Sequence, residues 1–162
     1  MAWWLWAIIG VVANWAIPAV LSWSYAMWAY FVGDFVHAGY YGPFIKFRLA
    51  TKMSSLHSRL WKRWSGLGLL GFLIYRDYAD DHFETSRRVR HEGTHCWHWL
   101  MLGLLFIVAY VGHMGFIYLF QKDKHPYYDC WSERLARKKA GQIVNLPRRW
   151  WPDGPKDRWP WW

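Results

Sequence analysis

Arg90-His91-Glu92-Gly93-Thr94-His95 stands at the head of a run, residues 97–121, in which no side chain carries a formal charge. Two demands meet at that point. An H-E-x-x-H sequence asks for a helix, since positions i and i+4 share a face and two imidazoles so placed can reach one metal ion. The Glu after the first His then lies beside a metal-bound water and can take its proton. With eight His in the chain, chance accounts for only roughly 0.007 such motifs, which favours a metal-binding helix over a polar helix start with surface histidines. The uncharged run asks for burial, in lipid or in protein.

A tetrahedral site with one open position needs a third protein ligand. His98 shares the face of His91 and His95 but lies about 10 Å along the axis from His91, so one straight helix does not wrap all three around an ion. No Asp or Glu occurs between Glu92 and Asp123. The carboxylate candidates are therefore Asp123, Asp129 and Glu133, with His113, His125 and Cys130 as the other options. A simple span over 97–120 would leave His95 and Glu133 on opposite membrane faces, some 30 Å apart. The expected arrangement is bent instead: about 16 residues of helix out from His95, a turn near Gly112–Gly115, and a return. That return also brings Cys96 and Cys130 within about two helical turns of each other and keeps a Cys ligand open.

The rest of the chain has the same layout. Of 162 residues, 54% are hydrophobic and 22% aromatic, and sixteen are Trp, which excludes intrinsic disorder, a disulfide scaffold and a collagen-like fibre. Residues 1–33 contain no charge, 34–96 hold ten basic against six acidic residues, and 122–162 hold ten against five. Charge-free blocks alternating with basic ones are the pattern of a membrane protein. Trp3 to Val32 is long enough to span a bilayer, with a kink expected at Pro18. A cleaved signal peptide fits poorly, because there is no basic n-region and the apolar run is too long. Lys46, Arg48, Lys52, Arg59, Lys62 and Arg63 follow, so the positive-inside rule places residue 34 onward in the cytoplasm.

Three segments result: an anchor helix over 1–33, a compact domain over 34–146, and a Trp/Pro/Arg-rich tail over 147–162 that reads as irregular. Within the domain, Gly66 to Tyr75 reads as a short strand or a hairpin, Arg76 to Glu84 as a polar loop, and Ser86 onward as helix. A last helix is expected from about Tyr128 to Ala140, closed by Gly141. The fold class is mainly α, of the α+β kind. Two cysteines are too few for a disulfide framework.

The motif, the apolar stretch and Tyr128-Asp129-Cys130-Trp131-Ser132-Glu133-Arg134-Leu135-Ala136 together resemble the minimal gluzincin-type HExxH zinc metallopeptidases of bacteria and phages. In that family an R-H-E-x-x-H helix is followed by an E-R-x-A-type helix that supplies a Glu. The resemblance covers roughly residues 66–141. It implies a zincin-like domain with Zn²⁺ on His91, His95 and Glu133, Glu92 as general base, and hydrolysis of a peptide or protein substrate. Two departures alter the surroundings of the triad. Cys130-Trp131-Ser132 stands where N-P-F is frequent, and Cys96-Trp97-His98 stands where a Gln is common.

Other features point less far. Arg87, Arg88 and Arg90 suit anionic lipid better than a substrate carboxylate. His37, His57 and His82 read as surface or interfacial residues, and Tyr127 and Tyr128 as packing residues that could also face an oxyanion. Nucleic-acid binding rests on net charge alone, with Arg148, Arg149, Lys156 and Arg158 interleaved with Trp in the tail. The expected partners are membrane lipid, a polypeptide substrate and a larger protein assembly. The competing reading is a non-catalytic membrane- or virion-associated structural protein, a phage assembly component that keeps a zincin-like site.

Overall fold

The computed structural model describes residues 3–61, 65–76 and 82–144. The tail over 147–162, Lys62, Arg63 and most of the acidic loop after Arg76 lie outside the described residues. The chain runs α1 (Trp3–Phe31), β1 (Phe35–Tyr41), β2 (Phe44–Leu49), α2 (Ser55–Leu60), β3 (Gly66–Leu69), β4 (Phe72–Tyr75), α3 (His82–Leu102), α4 (Leu105–Phe120) and α5 (Trp131–Ala140). This is the expected mainly α chain with a small sheet. The glycine-spaced run is a hairpin, and α5 ends on Gly141 in the left-handed region at φ 68°. The polar stretch from Arg76 gives way to helix earlier than expected, at His82.

The sheet order is β1-β2-β4-β3, with β2 and β4 parallel and the other two pairs antiparallel. Alternation assigns its faces. Phe47, Leu49, Phe72 and Ile74 pack with Ala26 and Ala29 of α1 on one side. Leu73 and Tyr75 pack with Cys96 of α3 on the other. The C-terminal half of α1 is thus part of the core, while its first turns are exposed. Trp4–Phe31 is, among the described helices, the one long and apolar enough by itself to cross a membrane.

One histidine departs from its expected place. His57 is fully buried, not superficial: its Nδ1 meets Asp34 Oδ2, and the Ser54 backbone N–H and hydroxyl donate to the same carboxylate at 2.6 and 2.7 Å. A carboxylate just past α1 thereby fastens the start of α2, and burial of the ring follows from that partner.

The bend is present but not where it was expected. α3 and α4 are turned 115° to each other at Gly103, whose φ of 56° favours glycine. Gly112 and Gly115 lie inside an unbroken α4 with open space around them. Glycine permits a break; partners for the freed backbone groups decide where it falls. At Gly103 those partners come from α1. Asn14 Nδ2 donates to Leu102 O at 3.0 Å, Asn14 O accepts from Leu104 N at 2.9 Å, and Asn14 Oδ1 accepts from Leu105 N at 3.2 Å. Trp15 Nε1 donates to Leu100 O at 2.9 Å.

Candidate metal centre

The corner returns the chain to α3 through α5, and three side chains converge. His91 and His95, one turn apart on α3, place their Nε2 atoms 3.2 Å from each other. Glu133, in the first turn of α5, places Oε2 3.3 Å from His91 Nε2 and Oε1 3.3 Å from His95 Nε2. All three residues are largely buried, and the group can hold a metal ion. The spacing is informative, because ligands about 2.0–2.1 Å from a tetrahedral ion stand about 3.3–3.4 Å from one another.

Hydrogen bonds at the far side of each ligand fit the same purpose. His91 Nδ1 lies 3.1 Å from Gln142 Oε1, an acceptor that keeps the proton on Nδ1 and leaves the Nε2 lone pair free. His95 Nδ1 lies 3.2 Å from Ser132 Oγ. Two Nε2 lone pairs facing each other at this distance repel unless a cation lies between them. Tyr110 of α4 donates to Glu133 Oε1 at 2.8 Å, whereas buried Glu133 Oε2 has no hydrogen-bond donor in good geometry. An orphaned carboxylate oxygen is costly to bury, and a bound cation removes that cost.

The charges respond accordingly. Burial alone would raise Glu133, but the imidazoles of His91 and His95 outweigh it and hold the carboxyl far below its usual range. Burial would lower His95, but hydrogen bonding and charge from Glu133, with Glu92 adding, raise it. Glu92 is raised chiefly by burial, against the pull of His91 and His95.

Glu92 itself is mostly buried and lies under the sheet edge. Gly66 and Gly68 are the α3-facing residues of edge strand β3. A Cβ at Gly66 would fall 2.4 Å from Glu92 Oε1, and one at Gly68 would fall 2.1 Å from the Glu92 carbonyl oxygen and 2.8 Å from His95 Cβ. The missing side chains let the strand press onto the motif helix. Gly68→Ala meets rigid backbone, so the strand must move; the expected cost is about 1–3 kcal/mol, read as a lower melting temperature of the full chain.

The other candidates are engaged elsewhere. Asp129 Oδ2 accepts from His125 N, His125 Nδ1 accepts from the Tyr127 and Tyr128 amides, and His113 Nδ1 accepts from Trp131 N. Asp123 is exposed. Cys96 and Cys130 are buried free thiols facing the carbonyls of Phe72 and Tyr110, not the ligand group. Arg87 donates to Gly141 O and Arg88 to Ser65 Oγ. Tyr128 lies under the Arg137 guanidinium at 4.3 Å.

Ser132, Tyr110 and Gln142 are additions that motif reading did not supply. His98 does lie on the ligand face, but as a partner once removed: its Nδ1 is 3.0 Å from Ser132 Oγ. With His95 bound to a cation through Nε2, its Nδ1–H donates to Ser132 Oγ, and the serine hydrogen is left for His98 Nδ1. Ser132→Ala breaks this chain, and the expected result is about 10–100-fold weaker metal binding, measured by competition against a chromogenic chelator. The chain matches no family model, no curated protein and no solved structure.

Proposed function

We propose that this chain is a membrane-anchored zinc-dependent metallopeptidase with a zincin-like domain. The observation that carries the reading is the convergence of His91 Nε2 and His95 Nε2, 3.2 Å apart, on the Glu133 carboxylate, whose Oε2 and Oε1 lie 3.3 Å from the first and the second respectively, with the far nitrogen of each imidazole already engaged. Two imidazoles and one carboxylate in this spacing suit zinc with one position left open. Bound there, zinc would polarise a peptide carbonyl and lower the pKa of its water.

The remaining work falls to the chain's own groups. Glu92, one residue past the first ligand, takes the proton of the attacking water on its carboxylate and returns it to the leaving amine. Burial raises its carboxyl above the ordinary range, which suits a group that accepts a proton and returns it. Tyr110 donates to Glu133 Oε1 and so holds the carboxylate against the two imidazoles, where it would serve as a ligand. Gln142 and Ser132 fix the imidazole tautomers. α1 supports the membrane anchor, and the basic residues after it support a cytoplasmic domain.

The test is joint. Purified full chain should hold one equivalent of zinc and cleave unstructured peptides, and both properties should vanish on chelation and in His91→Ala. Stoichiometric zinc without any hydrolysis would favour the non-catalytic assembly protein.

A further inference from the structure

We propose that the α3–α4 corner is a re-entrant element: it enters the bilayer to about its midplane, pinned there by Asn14, and the outer face of α4 rests on the acyl chains of one leaflet. The proposal rests on the membrane reading of α1 and is independent of the zinc.

Aromatic spacing sets the depth. Trp4 and Trp23 are 19 residues apart on α1, about 28 Å of helix, close to the roughly 30 Å hydrocarbon thickness whose edges Trp prefers. Asn14 lies midway, about 14–15 Å from each. A polar side chain at the middle of a span is costly unless satisfied inside the protein. Asn14 is satisfied by the corner and satisfies it in turn: three hydrogen bonds link it to Leu102, Leu104 and Leu105. The indole of Trp15, also deep, is taken by Leu100 O. Non-helical backbone at membrane depth requires such internal partners, and a corner in water would not.

α4 is built to match. Its hydrogen-bonding residues Tyr110 and His113 turn toward Glu133 and Trp131 of the α5 segment. Ile107, Val108, Val111 and Leu119 are left outward, and Val108 is 67% exposed. Charge resumes at Lys122, just past the last turn, and stands at Arg87, Arg88 and Arg90 before the motif. Because His95 and Glu133 meet at 3.3 Å, both chain ends of the element lie on one side of the membrane, and its apolar tip points inward. The geometry closes: α4 is 16 residues, about 24 Å, and covers the roughly 15 Å from midplane to headgroups at a tilt of about 50°. A turn of 115° then leaves α3 about 15° from the membrane normal, for coplanar axes with that tilt.

Neighbouring contacts agree with this descent. Leu100 meets Trp15, and nearer the headgroups Cys96 donates to Phe72 O while the Phe72 ring lies 5.2 Å from Trp23. His95 is seven residues before Leu102, about 10 Å along α3, which puts the metal ligands just under the headgroups. If the proposed hydrolysis holds, its substrates are polypeptides already at the membrane surface, tethered or juxtamembrane.

The experiment uses the full chain in vesicles of phosphatidylcholine with a minority of phosphatidylglycerol. Single variants Val12→Cys, Val108→Cys, Leu119→Cys and Leu135→Cys, all at exposed positions, carry an environment-sensitive fluorophore. Lipids bear a quenching nitroxide near the acyl terminus or just below the headgroup. Labels at Val12 and Val108 should lose fluorescence mainly to the deep nitroxide, and those at Leu119 and Leu135 to the shallow one and not to the deep one. An unquenched Val108 label beside a quenched Val12 label overturns the proposal, since α4 then lies outside the lipid. So does a Leu119 label reached by aqueous iodide from the side opposite Leu135, because the helix pair then crosses. If Val12 is itself unquenched, the anchor and the proposal fall together, whereas zinc content of the same preparation reports separately on the metal centre.

Discussion

Zinc-loaded chain is expected to melt well above the same chain stripped by a chelator, and the gap is expected to widen as pH rises from about 6 to about 8. With free metal near a thousandfold over Kd the stabilisation is about 4 kcal/mol. The pH dependence follows from two opposite shifts. His95 is raised above 6.5 by Glu133, so in the metal-free chain its protonated pairing contributes fully below that value and is lost as pH rises through the raised one. Glu133 is lowered from 4.5, so its contribution is present above that value and is lost as pH falls through the lowered one. The metal-free chain is therefore most stable between the ordinary Glu and His values. Metal competes with the proton for His95 Nε2, so loading strengthens over the range where the metal-free pairing weakens. Thermal melts at several pH values, with and without zinc, read the difference. His91→Ala should erase the gap at every pH, and a parent chain with no gap at pH 8 would sink the metal centre.

The parts of this centre that were legible in the sequence are the local ones. His91 and His95 share a helix face by spacing alone, and Gly141 after Arg137, Lys138 and Lys139 marked the end of α5. Residue pattern left Asp123, Asp129 and Glu133 open; of these three the structure brings Glu133 to both imidazoles. Ser132 and Gln142 have no local signature, because their roles depend on a helix packed 34 to 51 residues away in sequence. The bend was legible as a necessity and misplaced in detail. Gly112 and Gly115 carried the stronger composition signal, but Asn14 lies 88 residues from Leu102, and no window along the chain connects them.

The sheet illustrates a different loss. Ile45-Lys46-Phe47-Arg48-Leu49 alternates cleanly, with Phe47 and Leu49 buried on the α1 side, yet its cations read first as a membrane-flanking charge cluster. The two readings are compatible, since a strand face can point to solvent. In β3 the alternation is invisible because the α3-facing positions are Gly66 and Gly68. Their missing side chains report close approach to α3, which hydrophobic periodicity does not register.

Glu92→Gln is expected to keep the full zinc complement and lower hydrolysis of unstructured peptides by about 10²–10⁴-fold. The amide has the shape of the carboxylate, so the contact beneath Gly66 survives, but it cannot accept the proton of the attacking water. Stability gives the companion readout. Glu92 is raised by burial, so its charged form is disfavoured in the folded chain, and that cost grows as pH rises through the unfolded value near 4.5. A neutral Gln removes the cost, so at neutral pH the variant should melt at or above the parent temperature. Activity lost with zinc and fold retained marks a group acting on the reaction. Zinc lost with activity would make Glu92 a structural support, and hydrolysis at the parent rate would remove it from the mechanism. Peptides tethered to lipid and peptides free in solution, assayed side by side, then show whether the same carboxylate serves substrates held at the membrane.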